Sequence, residues 1–308
     1  MKQQFFCFSV IILILILFSC EKKEIFSPKK YIETESFQSG SSDFEVSKRF
    51  VYSEKKQLSS VWLKDGNATL TFEYNKDKTV SKITSTENNG VFYALLSYKD
   101  GLLANIQYYE NNQLVRESVF SRKEKANTIN KIENYVYDGF ASESEGALSG
   151  MLFSELKTMP EYMRKMHKSG EKSLYSVQNI TYENENISRV RLNYTANDKL
   201  SLYSTTSYDY DDKKNPFYGL PYAFLKLAGY NKNNERYALT TFENDPEKTM
   251  ITINNTYSYE KKYPVYKSVM ESETYITGYE TVIEGKDTLV KPIWTTNSKY
   301  RSYSYTYK

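Results

Sequence analysis

The chain has 308 residues, among them 30 Tyr and 16 Phe but only 2 Cys and 1 His. Cys7 and Cys20 both lie in the first twenty residues, so structural zinc, thiol catalysis and Cys-ligated haem fall away, and a Ser-His-Asp arrangement would have to use His167. Lys and Arg number 41 against 38 Asp and Glu, dispersed along the chain rather than gathered into the basic field that phosphate binding needs, so nucleic acid is not expected as a partner.

The N-terminus has Lys2, an apolar run from Phe5 to Phe18 interrupted by Ser9, and then Leu17-Phe18-Ser19-Cys20. The run is too short for the roughly 20 apolar residues of a membrane-spanning helix. Leu17 three residues before Cys20, with the small Ser19 between, resembles a bacterial lipobox, so residues 1–19 are expected to be a signal peptide removed at a lipidated Cys20. Acyl chains contribute about 0.8 kcal/mol per buried CH₂ and would hold the protein on a membrane without a transmembrane element. Glu21 follows Cys20 in place of the Asp that retains many lipoproteins at the inner membrane, which favours the outer membrane; its periplasmic and surface faces stay open. Residues 20–44 are polar, contain Ser39-Gly40-Ser41-Ser42 and read as a flexible tether.

From residue 45 to 308 the dominant signal is period two, with Thr, Tyr, Val, Ile and Phe in short runs. Turn signals punctuate it at Asp65-Gly66-Asn67, Asn88-Asn89-Gly90, Lys99-Asp100-Gly101 and Asn111-Asn112, residue types that accept the positive φ of tight hairpins. A degenerate unit recurs: a strand ending in Tyr, a polar turn, then two apolar positions three apart. Phe72-Glu73-Tyr74 leads to Val80 and Ile83, Tyr98 to Leu103 and Ile106, Tyr182 to Ile187 and Val190, and Tyr194 more loosely to Leu200 and Tyr203. Such hairpins must lie side by side to bury their apolar faces. The expected fold is mainly β, an antiparallel hairpin-repeat sheet, open or half-barrel-like, in one domain over residues 45–308.

A helical insertion is expected at about 142–168, where Leu148, Leu152, Leu156, Met159, Met163 and Met166 fall at helical spacing and Thr158-Met159-Pro160-Glu161 reads as a capping box at a kink. Lys213 to Tyr230, with Pro216, Gly219 and Pro221, reads as a long loop ending in a short helical turn. A closed membrane barrel is disfavoured because stretches such as Ser201 to Asp211 offer no apolar outward face.

The lipobox at Cys20, the hairpin unit at Phe72-Glu73-Tyr74, the run Tyr208-Asp209-Tyr210-Asp211-Asp212-Lys213-Lys214-Asn215-Pro216-Phe217, and Tyr257 to Tyr259 followed by Tyr263-Pro264 resemble the Tyr-Asp-rich outer-membrane lipoproteins of Gram-negative bacteria, with YD-repeat-like or porin-like β domains and no assigned function. The resemblance implies an exported β protein and transfers no catalytic residues. The Gly-Arg turn of true YD repeats is missing.

Four groups of side chains are candidate sites. Asp209, Asp211 and Asp212 cluster, with Asp209 and Asp211 about 7 Å apart on one strand face, yet the Gly and bidentate Glu of a calcium loop are missing. Glu271 and Glu273 have the spacing of a glycosidase pair, as any acidic strand does. His167 sits where a cation completes a helix C-terminus. Tyr303, Tyr305 and Tyr307 share one strand face and could meet a ligand, or pair with neighbouring strands. No cofactor or metal is expected. The expected function is a lipid-anchored envelope protein acting as a non-enzymatic binding or structural module, its partners the membrane through Cys20 and a glycan or envelope protein. The alternatives are a carrier of lipid beneath the Met-rich helical lid and a glycan-binding or glycan-hydrolysing surface lipoprotein.

Overall fold

The computed structural model describes residues 30–40, 42–64, 67–87, 90–122, 128–137, 172–196, 199–219, 226–284 and 287–308. Cys20, His167, the Met-rich segment and the insertion expected at 142–168 lie outside the described residues.

Sixteen strands follow one another in the described residues. The first eight are β1 (Ile32–Ser39), β2 (Glu45–Tyr52), β3 (Leu58–Leu63), β4 (Ala68–Tyr74), β5 (Val80–Glu87), β6 (Gly90–Lys99), β7 (Leu102–Glu110) and β8 (Gln113–Arg122). The rest are β9 (Ile129–Val136), β10 (Ser173–Glu183), β11 (Asn186–Ala196), β12 (Lys199–Lys214), β13 (Asn233–Phe242), β14 (Met250–Glu260), β15 (Tyr263–Glu284) and β16 (Asp287–Tyr307), with a 3₁₀ turn at Lys226–Tyr230 before β13. Each strand pairs antiparallel with its sequence neighbours and β1 pairs with β16, so the sheet closes into a barrel. The first described residues and the C-terminus meet at one rim, where the Lys308 amide donates to the Tyr31 carbonyl at 2.9 Å.

The expectation of an open or half-barrel sheet is thereby corrected. β1 falls within the span read as a tether, and its pairing with β2 and β16 joins the two ends of the sheet. The hairpin units do lie side by side, as β4–β5, β6–β7 and β10–β11. Two-residue hairpin turns of type I′ require positive φ at both central residues. Asp100 and Gly101 (φ 53° and 74°), Asn111 and Asn112 (48° and 65°), and Asn184 and Glu185 (49° and 65°) in the polar turn of the Tyr182 unit supply it.

Along β4, Ala68, Leu70 and Phe72 are buried in the barrel while Thr69, Thr71 and Glu73 face outward. The same alternation puts Val61, Ile83, Leu96, Ile106, Phe120, Ile132, Ile180 and Val190 inside, in one apolar cluster drawn from β1 to β11. Each fully buried Ile or Leu stabilises by about 1.5–3 kcal/mol, an exposed ion pair by about 0–1 kcal/mol. This interior therefore sets the register, since a one-residue slip would turn the whole apolar set outward. The arrangement inverts that of a membrane barrel, whose apolar side chains face out and whose lumen is polar.

The sector from β12 through β16 to β1 is lined differently. Its lumen holds Glu35 with Lys48 (2.5 Å), Glu271 with Arg301, and Glu235, Lys267, Tyr257, Tyr303 and Tyr305.

Candidate functional site

The two ends of the barrel carry different equipment. At the terminal rim, tyrosines near the ends of even-numbered strands turn inward and donate their hydroxyls to a carbonyl near the start of the odd-numbered strand each is paired with: Tyr74 to the Leu58 carbonyl (2.7 Å), Tyr98 to Val80 (2.8 Å), Tyr210 to Ile187 (2.8 Å), Tyr257 to Glu235 (2.9 Å) and Tyr307 to Pro264 (2.6 Å). The loop after β12 closes this rim. Asn215 holds it through bonds to the Phe217 amide (2.9 Å) and the Asn231 carbonyl (2.8 Å), seating the Phe217 ring near Phe50 and Tyr305.

Beneath Phe217 lies a cleft of about 110 Å³, bordered by Asn234, Glu235, Tyr257, Lys267 and Tyr305. Burial pushes the Glu235 carboxyl up, opposed by the Lys267 charge and a bond from Asn255. Burial likewise pulls the Lys267 ammonium down, opposed by Glu235 and Glu35. Lys267 also lies over the rings of Tyr257 and Tyr303 at 5.7 and 5.9 Å. Burial thus disfavours the charged form of both side chains, in a cleft with room for only a few waters.

At the opposite rim a larger cleft of about 570 Å³ opens between the ends of β12, β13, β14 and β15, with Tyr203, Phe242, Glu243, Asp245 and Glu273 on its walls. The Tyr203 and Phe242 rings pack edge to face at 5.4 Å. Burial raises the Asp245 carboxyl, but bonds from the Thr249 hydroxyl and the Thr249 and Glu247 amides outweigh it and hold Asp245 below the usual carboxylate range. This carboxylate closes a turn and is not poised as a general acid, which would need the opposite shift.

β15 and β16 run past this rim. Their pairing with each other continues to Glu284↔Asp287, whereas β14 stops pairing at Thr274 and β1 at Arg301. About ten residues on each strand, roughly 30 Å at the strand rise, thus project as a two-stranded ribbon. Its base is tied to the rim by the Ile276 amide, which donates to the Glu247 carbonyl at 2.8 Å, and a bulge separates Ile276 from Gly278. Tyr279 (63% exposed), Ile283 (75%), Val290 (68%) and Trp294 (45%) stand on one ribbon face, the continuation of the barrel's outer wall. Glu280 and Lys291 face each other on the other. The chain matches no known protein family and no curated protein.

The residues singled out in the sequence are scattered by this architecture. Bulges at Tyr210 separate the aspartates: Asp209 is exposed on the outer wall, Asp211 bonds to Tyr259 and Asn234, and Asp212 pairs with Lys213 in solvent. The uniform strand face expected for Asp209 and Asp211 is lost to those extra residues. Glu271 is engaged by Arg301, while Glu273 lines the larger cleft. Tyr303, Tyr305 and Tyr307 do share a face, the lumenal one. Tyr303 packs on Phe37, Tyr305 is buried against the small cleft and Tyr307 packs on Tyr263. Among the described residues no three or more His, Cys, Asp or Glu side chains are grouped to hold a metal ion.

Sequence reasoning missed the ribbon. Its signal was present: the even-numbered positions from Thr288 to Thr306 carry no charge, and every charged residue from Lys291 to Arg301 sits at an odd one.

Proposed function

We propose that this protein is a membrane-tethered, non-enzymatic binding module whose binding element is the β15–β16 ribbon. The observation that carries the reading is the ribbon's exposed uncharged face, Tyr279, Ile283, Val290 and Trp294. An isolated two-stranded ribbon is marginal in water, and its exposed apolar side chains mark an interaction site; Leu289 and Ile293 are exposed on the other face too, but Glu280 and Lys291 make that face charged. The position agrees with a tether at Cys20, because the chain enters the barrel at the terminal rim and the ribbon leaves from the other.

A carrier of acyl chains is supported less well, since the interior positions that would hold a chain are filled by the packed side chains of β1 to β11. A hydrolase is supported less well because Glu271 is tied to Arg301 and Asp245 to its own turn.

The reading is tested by adding the full chain in mild detergent to isolated envelopes and comparing it with the double variant Val290→Asp, Trp294→Ser. Saturable retention by the wild type, reduced at least about tenfold in the variant as loss of a central anchor implies, is expected. Equal retention of both would overturn the assignment to the ribbon. The tether has its own test: a radiolabelled fatty acid is incorporated by the wild type and not by Cys20→Ala.

A further inference from the structure

The outer wall around the ribbon has a composition unlike the rest of the barrel. On β15 the outward positions are the even-numbered residues from Tyr266 to Ile276 and, beyond the bulge, Tyr279, Thr281 and Ile283; on β16 they are the even-numbered residues from Thr288 to Thr306. Not one is charged. The charged residues in the described parts of these strands, Lys267, Glu271, Glu273, Glu280, Lys291, Lys299 and Arg301, fall on the opposite face. The neutral wall continues onto β1 through Thr34, Ser36 and Gln38, and onto β14 through Thr252, Asn254 and Thr256. Elsewhere the outer wall is charged, with Glu73, Lys82, Lys131, Glu133, Arg189, Arg191 and Asp209.

This wall carries hydroxyls in pairs: Thr274 with Thr296 (2.9 Å), Ser272 with Ser298 (2.8 Å), Tyr266 with Ser302 (2.9 Å) and Thr34 with Thr306 (2.7 Å). A paired hydroxyl has spent one donor and one acceptor between two groups, leaving each pair a further donor and acceptor sites for something outside the protein. Three exposed rings stand among them, Tyr279, Trp294 and Tyr300 (64% exposed). Tyr279 opposes Pro292, two residues from Trp294, which sets the two side chains about 7–8 Å apart across the strands. Tyr300 lies about 20 Å further along β16 at the strand rise.

Resting on the ribbon as the binding element, we infer that this wall binds an uncharged polysaccharide chain laid along β16, with Trp294, Tyr279 and Tyr300 stacking on sugar rings and the Ser and Thr pairs bonding to sugar hydroxyls. The chemistry selects this occupant. A lipid surface would strip water from the hydroxyls and return no hydrogen bonds, at a cost for each group. An anionic or cationic partner would find no opposite charge here. A sugar chain offers hydroxyls that both donate and accept, together with C–H faces that fit aromatic rings, along a straight and neutral track.

The experiment uses the full chain in mild detergent, applied to immobilised neutral glucan, mannan, galactan and xylan, to polygalacturonate, and to phosphatidylethanolamine and phosphatidylglycerol vesicles. The expected result is saturable retention on at least one neutral chain, insensitive to 1 M NaCl and weakened at least about tenfold by Trp294→Ala or Tyr279→Ala, as removal of an anchoring ring should do. Glu280→Gln on the opposite face should leave retention unchanged. Retention on no neutral chain, retention indifferent to both ring variants, or retention only on polygalacturonate or vesicles would each overturn the inference. Self-association that disappears in Trp294→Ala without glycan retention would replace the polysaccharide with a second copy of the chain. Envelope retention lost in the Val290→Asp, Trp294→Ser variant while every glycan fails would leave the ribbon as the binding element and remove only the sugar.

Discussion

At the scale of single residues, the tyrosine count acquires a structural cause. Each of the five rim tyrosines satisfies a backbone carbonyl where a strand pair begins, a position left over when the ladder ends. The recurring Tyr, turn and apolar pair in the sequence is the trace of this bond, because the apolar residue after one turn accepts the hydroxyl from the next unit: Val80 from Tyr98, Ile187 from Tyr210. Tyr98→Phe keeps the ring and removes the bond, and should lower stability by about 1 kcal/mol, read as a shift in the urea midpoint at unchanged slope. Burial also pushes the Tyr74 hydroxyl up to about 12. A raised folded pKa means stability is present below the unfolded value near 10 and is lost as pH climbs toward 12. The urea midpoint of the wild type should therefore fall more steeply than that of Tyr74→Phe as pH rises above about 10. Equal pH dependence of the two proteins would contradict it.

At the scale of elements, Glu117 on β8 acts as a clamp. Its carboxylate receives the Tyr137 hydroxyl at 3.0 Å and the Lys172 ammonium, the described residues on either side of segment 138–171, and also the Asn105 amide. Burial opposes its ionisation, but these donors outweigh burial and hold the carboxyl below the usual range. The sign is that of a depressed acid: the contribution is present above the unfolded pKa and disappears as pH falls through the folded one. Glu117→Gln should speed proteolytic cleavage within 138–171 at neutral pH, and the difference from wild type should vanish in acid. The ribbon predicts the reverse behaviour. Because Ile283 is largely in solvent, Ile283→Ser should leave the melting temperature within the change expected of about ±0.5 kcal/mol; a large drop would mean that the ribbon is covered.

The hairpins were legible because their turns demand Asn, Asp or Gly and their apolar faces repeat every second residue. β1 was not, since its lumenal face carries Glu35, a charge neutralised by Lys48 on β2, and only Ile32 and Phe37 mark it as a strand. The bulges that divide Asp209 from Asp211 leave no compositional mark, and so the candidate aspartate face failed; the uncharged alternation of β16 was present, but it does not tell a strand that leaves the barrel from one within it.

At the scale of the whole molecule, closure depends on the pairing of the first strand with the last, which no local sequence signal announces. Thr34 through Ser39 align with Thr306 through Arg301, and removing β16's final residues would leave β1 and β15 as open edges. A chain ending at Tyr300 should elute as aggregate in gel filtration, whereas a circular permutant that joins the adjacent termini should remain monodisperse.

The placement of ribbon and termini at opposite rims also has a mechanical meaning. A load taken up at the ribbon and resisted at the N-terminus passes down β16 and across to β1 along the strand direction. The bonds of an antiparallel ladder lie perpendicular to the strands, so the load shears the whole β1–β16 register together instead of opening it one bond at a time. With the proposed tether at Cys20 and the proposed chain on the ribbon, this register would brace the protein against the pull between them.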